Sequence, residues 1–477
     1  MRRCGFITDI RQNLPTFCRI GIENLRANAG RPAYYRHIGK NGRHNFMEKI
    51  LVDGGTPLHG KVEISGMKNA AVAVILASAV TGDVCVLDNL PNISDVADCL
   101  AILESIGAKI RVVAQSAVEI DARPIRDEEP KMELVRKIRA SYYLAGALLG
   151  RFGKAKVGLP GGCDFGVRPI DLHVKAFEKL GAEVTVGGGC LEAVTDPEKG
   201  LCASSIYFDC CSVGATINTI IAAVLAKGST IIENAAREPH VVDVANFLNA
   251  CGADIRGAGT SIIKINGVES LHGCEYSIIP DMIEAGTFMV AAAATGGNLY
   301  IDNVIPKHLE TITAKLREMG VTVDEYDEAV AVSCTDTLKS ISVKTLPYPG
   351  FPTDMHPQMA VLLCLANGTS TLSETIWNNR FRYVDELQRM GAKIMVEDKT
   401  AFFEGNTVFT PATVKAVDLR AGAAMVVAAL ATKGRVEIED IAYIERGYVD
   451  IVEKFRAVGA NIRKAYFPDI DAQANVS

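Results

Sequence analysis

One phrase recurs six times along the chain: a helical pattern that closes on glycine and runs into a β-branched strand. It reads LESIGAKI (Gly107), FEKLGAEV (Gly181), LNACGADI (Gly252), LREMGVTV (Gly320), LQRMGAKI (Gly391) and FRAVGANI (Gly459), with successive glycines 74, 71, 68, 71 and 68 residues apart. A glycine at that point suits the left-handed turn after a helix, which other residues enter at a steric cost. A fixed period of this length means tandem supersecondary units. Each unit also carries an earlier helix that is apolar all round, as in NAAVAVILASAVTGDVCVLDN, TINTIIAAVLAKGSTIIEN, GTFMVAAAATGGNLYIDN and GAAMVVAALATKGRVEIED. Uniform apolarity over 10–12 residues predicts a helix buried on every side rather than an amphipathic surface helix. The unit therefore reads strand, buried helix, strand, outer helix, then one or two strands. A binding solenoid is the alternative use of such repeats, but wholly buried helices favour closed packing around a centre. At 477 residues the chain exceeds one ordinary core. Three units and three units give two pseudo-threefold α/β domains with a cleft between them.

Charge and cysteine usage narrow the function. The total is −6, yet residues 1–46 hold nine Lys/Arg against Asp9 and Glu23, so this stretch is +7 and the rest −13. An acidic body does not suit nucleic acid, although clustered cations in a cleft can still take a small anion. Thirteen cysteines, odd in number and with no C-x-x-C, argue against a disulfide framework or a closed zinc site, and reduced thiols fit a cytoplasmic location. No ligand spacing links His173, His240, His308 and His356, and Cys210–Cys211 are adjacent and poorly placed to bridge each other. The longest apolar stretches, Ala70–Ala77 and Ala423–Ala431, fall short of the ~20 residues that cross a bilayer. The Arg-rich start lacks the apolar core of a secretory signal. Residues 1–46 read as an unfolded basic extension, an over-long reading frame being favoured over a transit peptide.

Polar residues recur where each buried helix begins: Lys68 and Asn69, Arg139, Ser212, Asp281 with Glu284, Asp354, and Asp418 with Arg420. Helix N-termini expose unpaired N–H groups and the positive end of the dipole, which suits phosphate and carboxylate. Ser212, Asp281, Asp354 and Asp418 are also good N-cap residues in their own right. Lys68, Arg139 and Arg420 cap nothing there, and their presence asks for a ligand. The stretch LPGGCDFGVRPIDLH (159–173) places Cys163 after two glycines and before Arg168, where a thiol near arginine should have a lowered pKa and act as acid or nucleophile. Gly161-x4-Gly166 echoes a P-loop, but Val167-Arg168 replaces the required Lys-Ser/Thr, and no G-x-G-x-x-G follows a strand.

From Met47 to about Ala465 the chain resembles the UDP-N-acetylglucosamine 1-carboxyvinyltransferase family of enolpyruvyl transferases. The matching strings are ISGMKNA, IRAS, LPGGCDFGVRPIDLH, SVGAT, ENAAREP, FPTDM, WNNRFRYV, VDLRA and IERGY, in order through both halves. The resemblance implies two inside-out α/β barrels of three repeats each. Residues 68–279 would form the first, 47–67 with 280–467 the second, and 468–477 a tail. It implies addition of phosphoenolpyruvate to the 3-hydroxyl of UDP-N-acetylglucosamine and then loss of phosphate, the first committed step of peptidoglycan synthesis. Lys68, Asn69, Arg139, Arg168 and Arg446 would surround phosphoenolpyruvate, with Lys68 also counted catalytic. Cys163 would be the proton donor and the thiol alkylated by fosfomycin, and Asp354 the acceptor of the hydroxyl proton. Asn69, Arg139, Arg168, Pro169, Ile170, Asp171, Leu172, Ser212, Val213, Gly214, Asp354 and Ile376 would hold the nucleotide sugar, and Arg380, Asp418 and Arg420 would line the cleft further. No metal, organic cofactor or obligatory protein partner is implied, nor nucleic acid or membrane. Three positions depart from the family pattern: Cys210 stands where a Lys is frequent, Tyr143 where some members have Trp, and Met282 where an Arg follows the PD. The shikimate-pathway enolpyruvyl transferase is the competing enzyme, but its Asn-Ala-Gly-Thr string is absent where this chain has IRASYYLAG. A silent nucleotide-sugar sensor is the competing non-enzyme. Retention of Lys68, Cys163, Arg168, Asp354 and Arg446 together argues against it.

Overall fold

A computed structural model describes residues 46–159 and 170–468. Cys163, Arg168 and Pro169 lie outside the described residues, as do residues 1–45 and 469–477. The first strand opens at Phe46, one residue before the expected boundary of the extension.

All six repeat glycines adopt positive φ, between 93° at Gly181 and 105° at Gly107, each where an outer helix turns into a strand. A side chain there would be strained, so the period seen in the sequence is a period of left-handed turns. The helices alternate in kind. The apolar ones are α1 (Lys68–Thr81), α3 (Tyr143–Phe152), α5 (Val213–Ala223), α7 (Met282–Thr295), α9 (His356–Leu365) and α11 (Leu419–Ala431). After each in turn come α2 (Ser94–Ser105), α4 (Asp171–Lys179), α6 (Pro239–Ala250), α8 (Glu310–Glu318), α10 (Val384–Arg389) and α12 (Ile451–Ala457). In α1 every residue from Ala70 to Thr81 is buried, which uniform apolarity requires. Helices α1, α3 and α5 pack on one another, and α7, α9 and α11 form a second such trio. Small residues let the axes approach: a Cβ on Gly146 of α3 would meet Asn218 Oδ1 of α5 at 2.3 Å.

Among the described residues six sheets surround these helices, five of four strands and one of three, and all but the last mix parallel with antiparallel pairs. In four of these sheets the strand after a buried helix pairs antiparallel with a hairpin strand and parallel with a strand that precedes a buried helix, as Ser370–Ser373 does with Thr400–Phe403 and Ser342–Lys344. Twice that parallel partner comes from far along the chain. His59–Glu63, which leads into α1, pairs with Asn298–Asp302, whereas Glu275–Ser277, which leads into α7, pairs with Val84–Asp88. The two connecting segments run antiparallel beside each other, with Gly66 bridging Pro280, Met67 N donating to Ile279 O at 2.7 Å, and Asp281 N donating to Ser65 O at 2.9 Å. The N-terminal strand Phe46–Gly54 lies between Gly434–Glu439 and Ile462–Pro468. This crossing sets the start of α1 against the start of α7, which brings Lys68 to Asp281.

Candidate functional site

Two clusters of cations and carboxylates meet around that crossing. In the first, Asp95 in the opening turn of α2 takes the Lys68 ammonium at 2.8 Å and the Arg446 guanidinium at 3.0 and 3.4 Å. The Asp95 side chain is 8% exposed, and Lys68 and Arg446 keep 12% and 23% of theirs open. Burial pushes the Asp95 carboxyl upward, but Lys68 and Arg446 together overcome it and hold the group below the usual carboxylate range. Lys68 N also donates to Asp281 Oδ2 at 3.1 Å, and the other Asp281 oxygen caps α7 at Ile283 N and Glu284 N.

In the second cluster Asp354, in a short 3-10 turn before α9, accepts from Arg420 Nε and Nη2 at 3.2 and 2.9 Å and from Arg380 Nη2 at 3.4 Å. The two arginines are 4% and 3% exposed, whereas the Asp354 side chain leaves 30% of its surface open. The carboxylate thus presents a free edge with the cations behind it. Burial raises its pKa, and Arg420 and Arg380 more than reverse this, holding it well below the usual carboxylate range. Asp418 caps α11 through Arg420 N and Ala421 N, and Arg420 stacks 5.6 Å from the Tyr448 ring, whose hydroxyl joins Thr287 and Gln358 in a buried knot between α7 and α9. Behind the Asp354 turn Glu374 accepts from the Thr345 and Thr353 hydroxyls, from Ile376 N and Trp377 N, and from His356 Nδ1, while the Tyr383 hydroxyl meets His356 Nε2 at 3.0 Å. Burial holds His356 neutral, which makes its Nδ1–H the donor to Glu374. This network fixes the loop that carries Ile376 against the Asp354 turn.

A third group gathers at the other trio. Arg139 opens the 3-10 turn Arg139–Tyr142, Ile170 precedes α4, Asp171 and Leu172 begin it, and Ser212 caps α5 by accepting from Ala215 N at 3.3 Å. His173 ties them together: its Nδ1 lies 3.0 Å from Asn218 Nδ2, which also donates to Tyr142 O, and its ring sits edge-on to Tyr142 at 4.8 Å. A Cβ on Gly214 would meet the Tyr142 hydroxyl at 3.1 Å and His173 Nε2 at 3.2 Å, so the start of α5 is pressed onto this pair. Burial lowers His173 to about 4. An unfolded histidine takes its proton near 6.5, so between those values the unfolded chain binds the extra proton and stability falls with falling pH, by about 3 kcal/mol once both have titrated. Above pH 6.5 the contribution is complete. The stability slope between pH 6.5 and 5, from urea unfolding, is expected to drop by about one proton in His173→Gln; an unchanged slope would exclude His173.

Ser212, Asp281 and Asp418 are therefore caps, whereas Asp354 is not: its oxygens go to arginines. The expectation that Lys68 and Arg420 need a ligand is corrected in part, since Asp95 and Asp354 already oppose them. Asp95, Glu374 and Tyr448 were missed. Asp95 and Glu374 sit in ordinary helix and loop patterns with no local signal, whereas Tyr448 closes the IERGY string and could have been found there. A cavity of about 350 Å³ lined by Thr311, Lys315, Ser342, Lys344 and Phe351 shares no residue with these clusters.

The family model of EPSP synthase (3-phosphoshikimate 1-carboxyvinyltransferase) matches residues 52–455. The UDP-N-acetylglucosamine 1-carboxyvinyltransferase 2 of Clostridium acetobutylicum is 54% identical over 419 residues, 88% of this chain and 99% of that one. The Halothermothrix orenii protein named UDP-N-acetylglucosamine 1-carboxyvinyltransferase is 49% identical over 418 residues, 88% of this chain and all of that one. Among solved structures, the enolpyruvyl transferase NikO from Streptomyces tendae superposes with a TM-score of 0.80 at 27% identity, covering 88% of this chain and 100% of that one. EPSP synthase from Acinetobacter baumannii, at 19% identity and a TM-score of 0.69 with the same coverage, shares the fold. The chain belongs to the enolpyruvyl transferase family, in the branch of the UDP-N-acetylglucosamine 1-carboxyvinyltransferases.

Proposed function

We propose that this chain transfers the enolpyruvyl group of phosphoenolpyruvate to the 3-hydroxyl of UDP-N-acetylglucosamine, the first committed step of peptidoglycan synthesis in the cytoplasm. The observation that carries the site assignment is the open edge of Asp354, backed by Arg380 and Arg420 and within one crossing of the Lys68–Asp95–Arg446 cluster. In this reading Lys68, Asn69, Arg139, Arg168 and Arg446 take the phosphate and carboxylate of phosphoenolpyruvate. Asn69, the starts of α4 (Ile170, Asp171, Leu172) and α5 (Ser212, Val213, Gly214), and Ile376 hold the nucleotide sugar, with Arg168 and Pro169 preceding α4. The sugar oxygen bonds to C2 of phosphoenolpyruvate while its proton passes to Asp354, and Cys163 gives a proton to C3. Loss of a C3 proton and of phosphate from C2 then restores the vinyl group. Two anions share one site, so the cations must offset their repulsion.

We also assign residues 68–279 to one inside-out barrel and 47–67 with 280–467 to a second. The exchange of His59–Glu63 and Glu275–Ser277 between sheets, and the two trios of central helices, support that division. Among the described residues no helix is long and apolar enough to cross a membrane.

Phosphate release from phosphoenolpyruvate tests the reading: release with UDP-N-acetylglucosamine and none with shikimate 3-phosphate is expected, and the reverse would move the chain to the shikimate-pathway reaction. Cys163→Ala is expected to abolish covalent labelling by fosfomycin in intact-mass measurements, while Cys163→Asp retains turnover and resists the drug. Labelling of the Ala variant would remove Cys163 as the reactive thiol.

A further inference from the structure

Three cysteines that are 166 and 23 positions apart in sequence meet away from the clusters above. Cys85 lies on the strand Val84–Asp88, Cys251 follows α6, and Cys274 immediately precedes the strand Glu275–Ser277 that pairs with Val84–Asp88. Their Sγ atoms all fall within 4.8 Å of one another, with Cys251 and Cys274 3.3 Å apart. Cys85 and Cys251 are fully buried, and Cys274 is half-buried.

The backbone around each is tied down. Cys251 N donates to Phe247 O and Leu248 O, Cys251 O accepts from His272 N at 2.9 Å, and Cys274 O accepts from Val86 N at 2.9 Å. A Cβ on Gly273 would strike Val84 O at 1.8 Å, so the segment carrying Cys274 is pressed against the strand carrying Cys85. The thiols are therefore held together by three separate elements and not by a flexible loop.

We infer that Cys85, Cys251 and Cys274 form a binding site for a soft d10 metal ion, of the Zn²⁺ or Cd²⁺ kind, held by three thiolates. Sulfur donors without nitrogen or hard oxygen select such ions over Mg²⁺ or Ca²⁺. A metal–sulfur bond of about 2.3 Å places three sulfurs about 3.8–4.0 Å apart, so the Cys251–Cys274 pair at 3.3 Å opens by about half an ångström, most easily at half-buried Cys274. Binding exchanges three S–H bonds for three metal–sulfur bonds, and the three protons pass to solvent, so affinity rises with pH. Half-buried Cys274 is the side from which solvent would reach the ion. The ion would clamp the strand that leads into the crossing segment before Asp281. The transfer reaction itself makes no use of it.

The test is a titration of the full-length chain, reduced and stripped with chelator, using Cd²⁺ alone. Wild type is expected to bind one equivalent more than Cys251→Ser/Cys274→Ser, with an ultraviolet sulfur-to-metal charge-transfer band, and to melt at a higher temperature with Cd²⁺. The single variant Cys274→Ser, at the half-buried position, guards against a double variant that fails to fold. It is expected to lose both the extra equivalent and the thermal shift. Equal stoichiometry in wild type and Cys274→Ser, or a Cys251–Cys274 disulfide that persists under the reducing conditions, would overturn the proposal.

Discussion

Asp354→Asn is expected to lower kcat for phosphate release by about 10²- to 10⁴-fold, the range a positioned general base contributes. The substitution keeps the shape of the side chain and removes only its charge and proton-accepting capacity. The geometry sets how that base must work. Arg420 and Arg380 hold the carboxylate far below the usual range, so at neutral pH it is fully ionised but weakly basic. In the proposed reaction it therefore accepts the proton late, as the sugar oxygen bonds to carbon and its hydroxyl becomes acidic. Because its folded pKa is depressed, the charge is present above the ordinary carboxylate range and lost only well below it, so no acid limb from Asp354 enters the kcat profile between pH 5 and 8. The buried guanidiniums lose their counter-charge in the variant, so part of any loss could come from unfolding. Urea midpoints measured beside kcat separate the two, and Asp354→Glu, which restores the charge at a different reach, is expected to recover stability more than turnover. A kcat within tenfold of wild type in a folded Asn variant would remove Asp354 from proton transfer.

Most of the fold was legible because its determinants are local. The six glycines announce left-handed turns, and unbroken apolarity from Ala70 to Thr81 leaves burial on all sides as the stable option. What escaped was non-local. Nothing in HGKVE or EYS says that these strands exchange sheets, since each is an ordinary alternating strand and its partner is chosen by the path of the whole chain. The polar residues do fall where the buried helices begin, yet their chemistry splits in a way no single position reveals. Asp281 and Asp418 turn back onto their own helices, whereas Asp354 reaches Arg420, 66 residues away. The counter-charge of Lys68 sits in α2, where nothing in SDVADCL sets Asp95 apart from Asp98. The thiol trio hides for the same reason, because spacing rules find ligands only where they are neighbours in sequence.

Asp95→Ala is expected to cost about 3–5 kcal/mol of folding stability, the range for breaking a buried ion pair by removing one partner. The carboxylate is the meeting point of Lys68, at the crossing, and Arg446, 351 positions away, so its loss leaves two cations facing each other with little water to screen them. Both cations belong to the proposed phosphoenolpyruvate site. Their mutual repulsion is expected to loosen them and raise KM for phosphoenolpyruvate more than for the sugar, most of whose proposed contacts lie at α4 and α5. By linkage, a fixed concentration of phosphoenolpyruvate then raises the stability of Asp95→Ala less than that of wild type, since the variant binds it more weakly. Asp95→Ala/Lys68→Met removes one of the two cations, and the double-mutant cycle is expected to give a favourable coupling of about 0.5–3 kcal/mol. Asp95 is held below the usual carboxylate range, so this contribution is complete at neutral pH and fades as pH falls through the acid region. An Asp95→Ala chain whose stability lay within about 0.5 kcal/mol of wild type, the range of an inert surface change, would show that Lys68 and Arg446 do not depend on it.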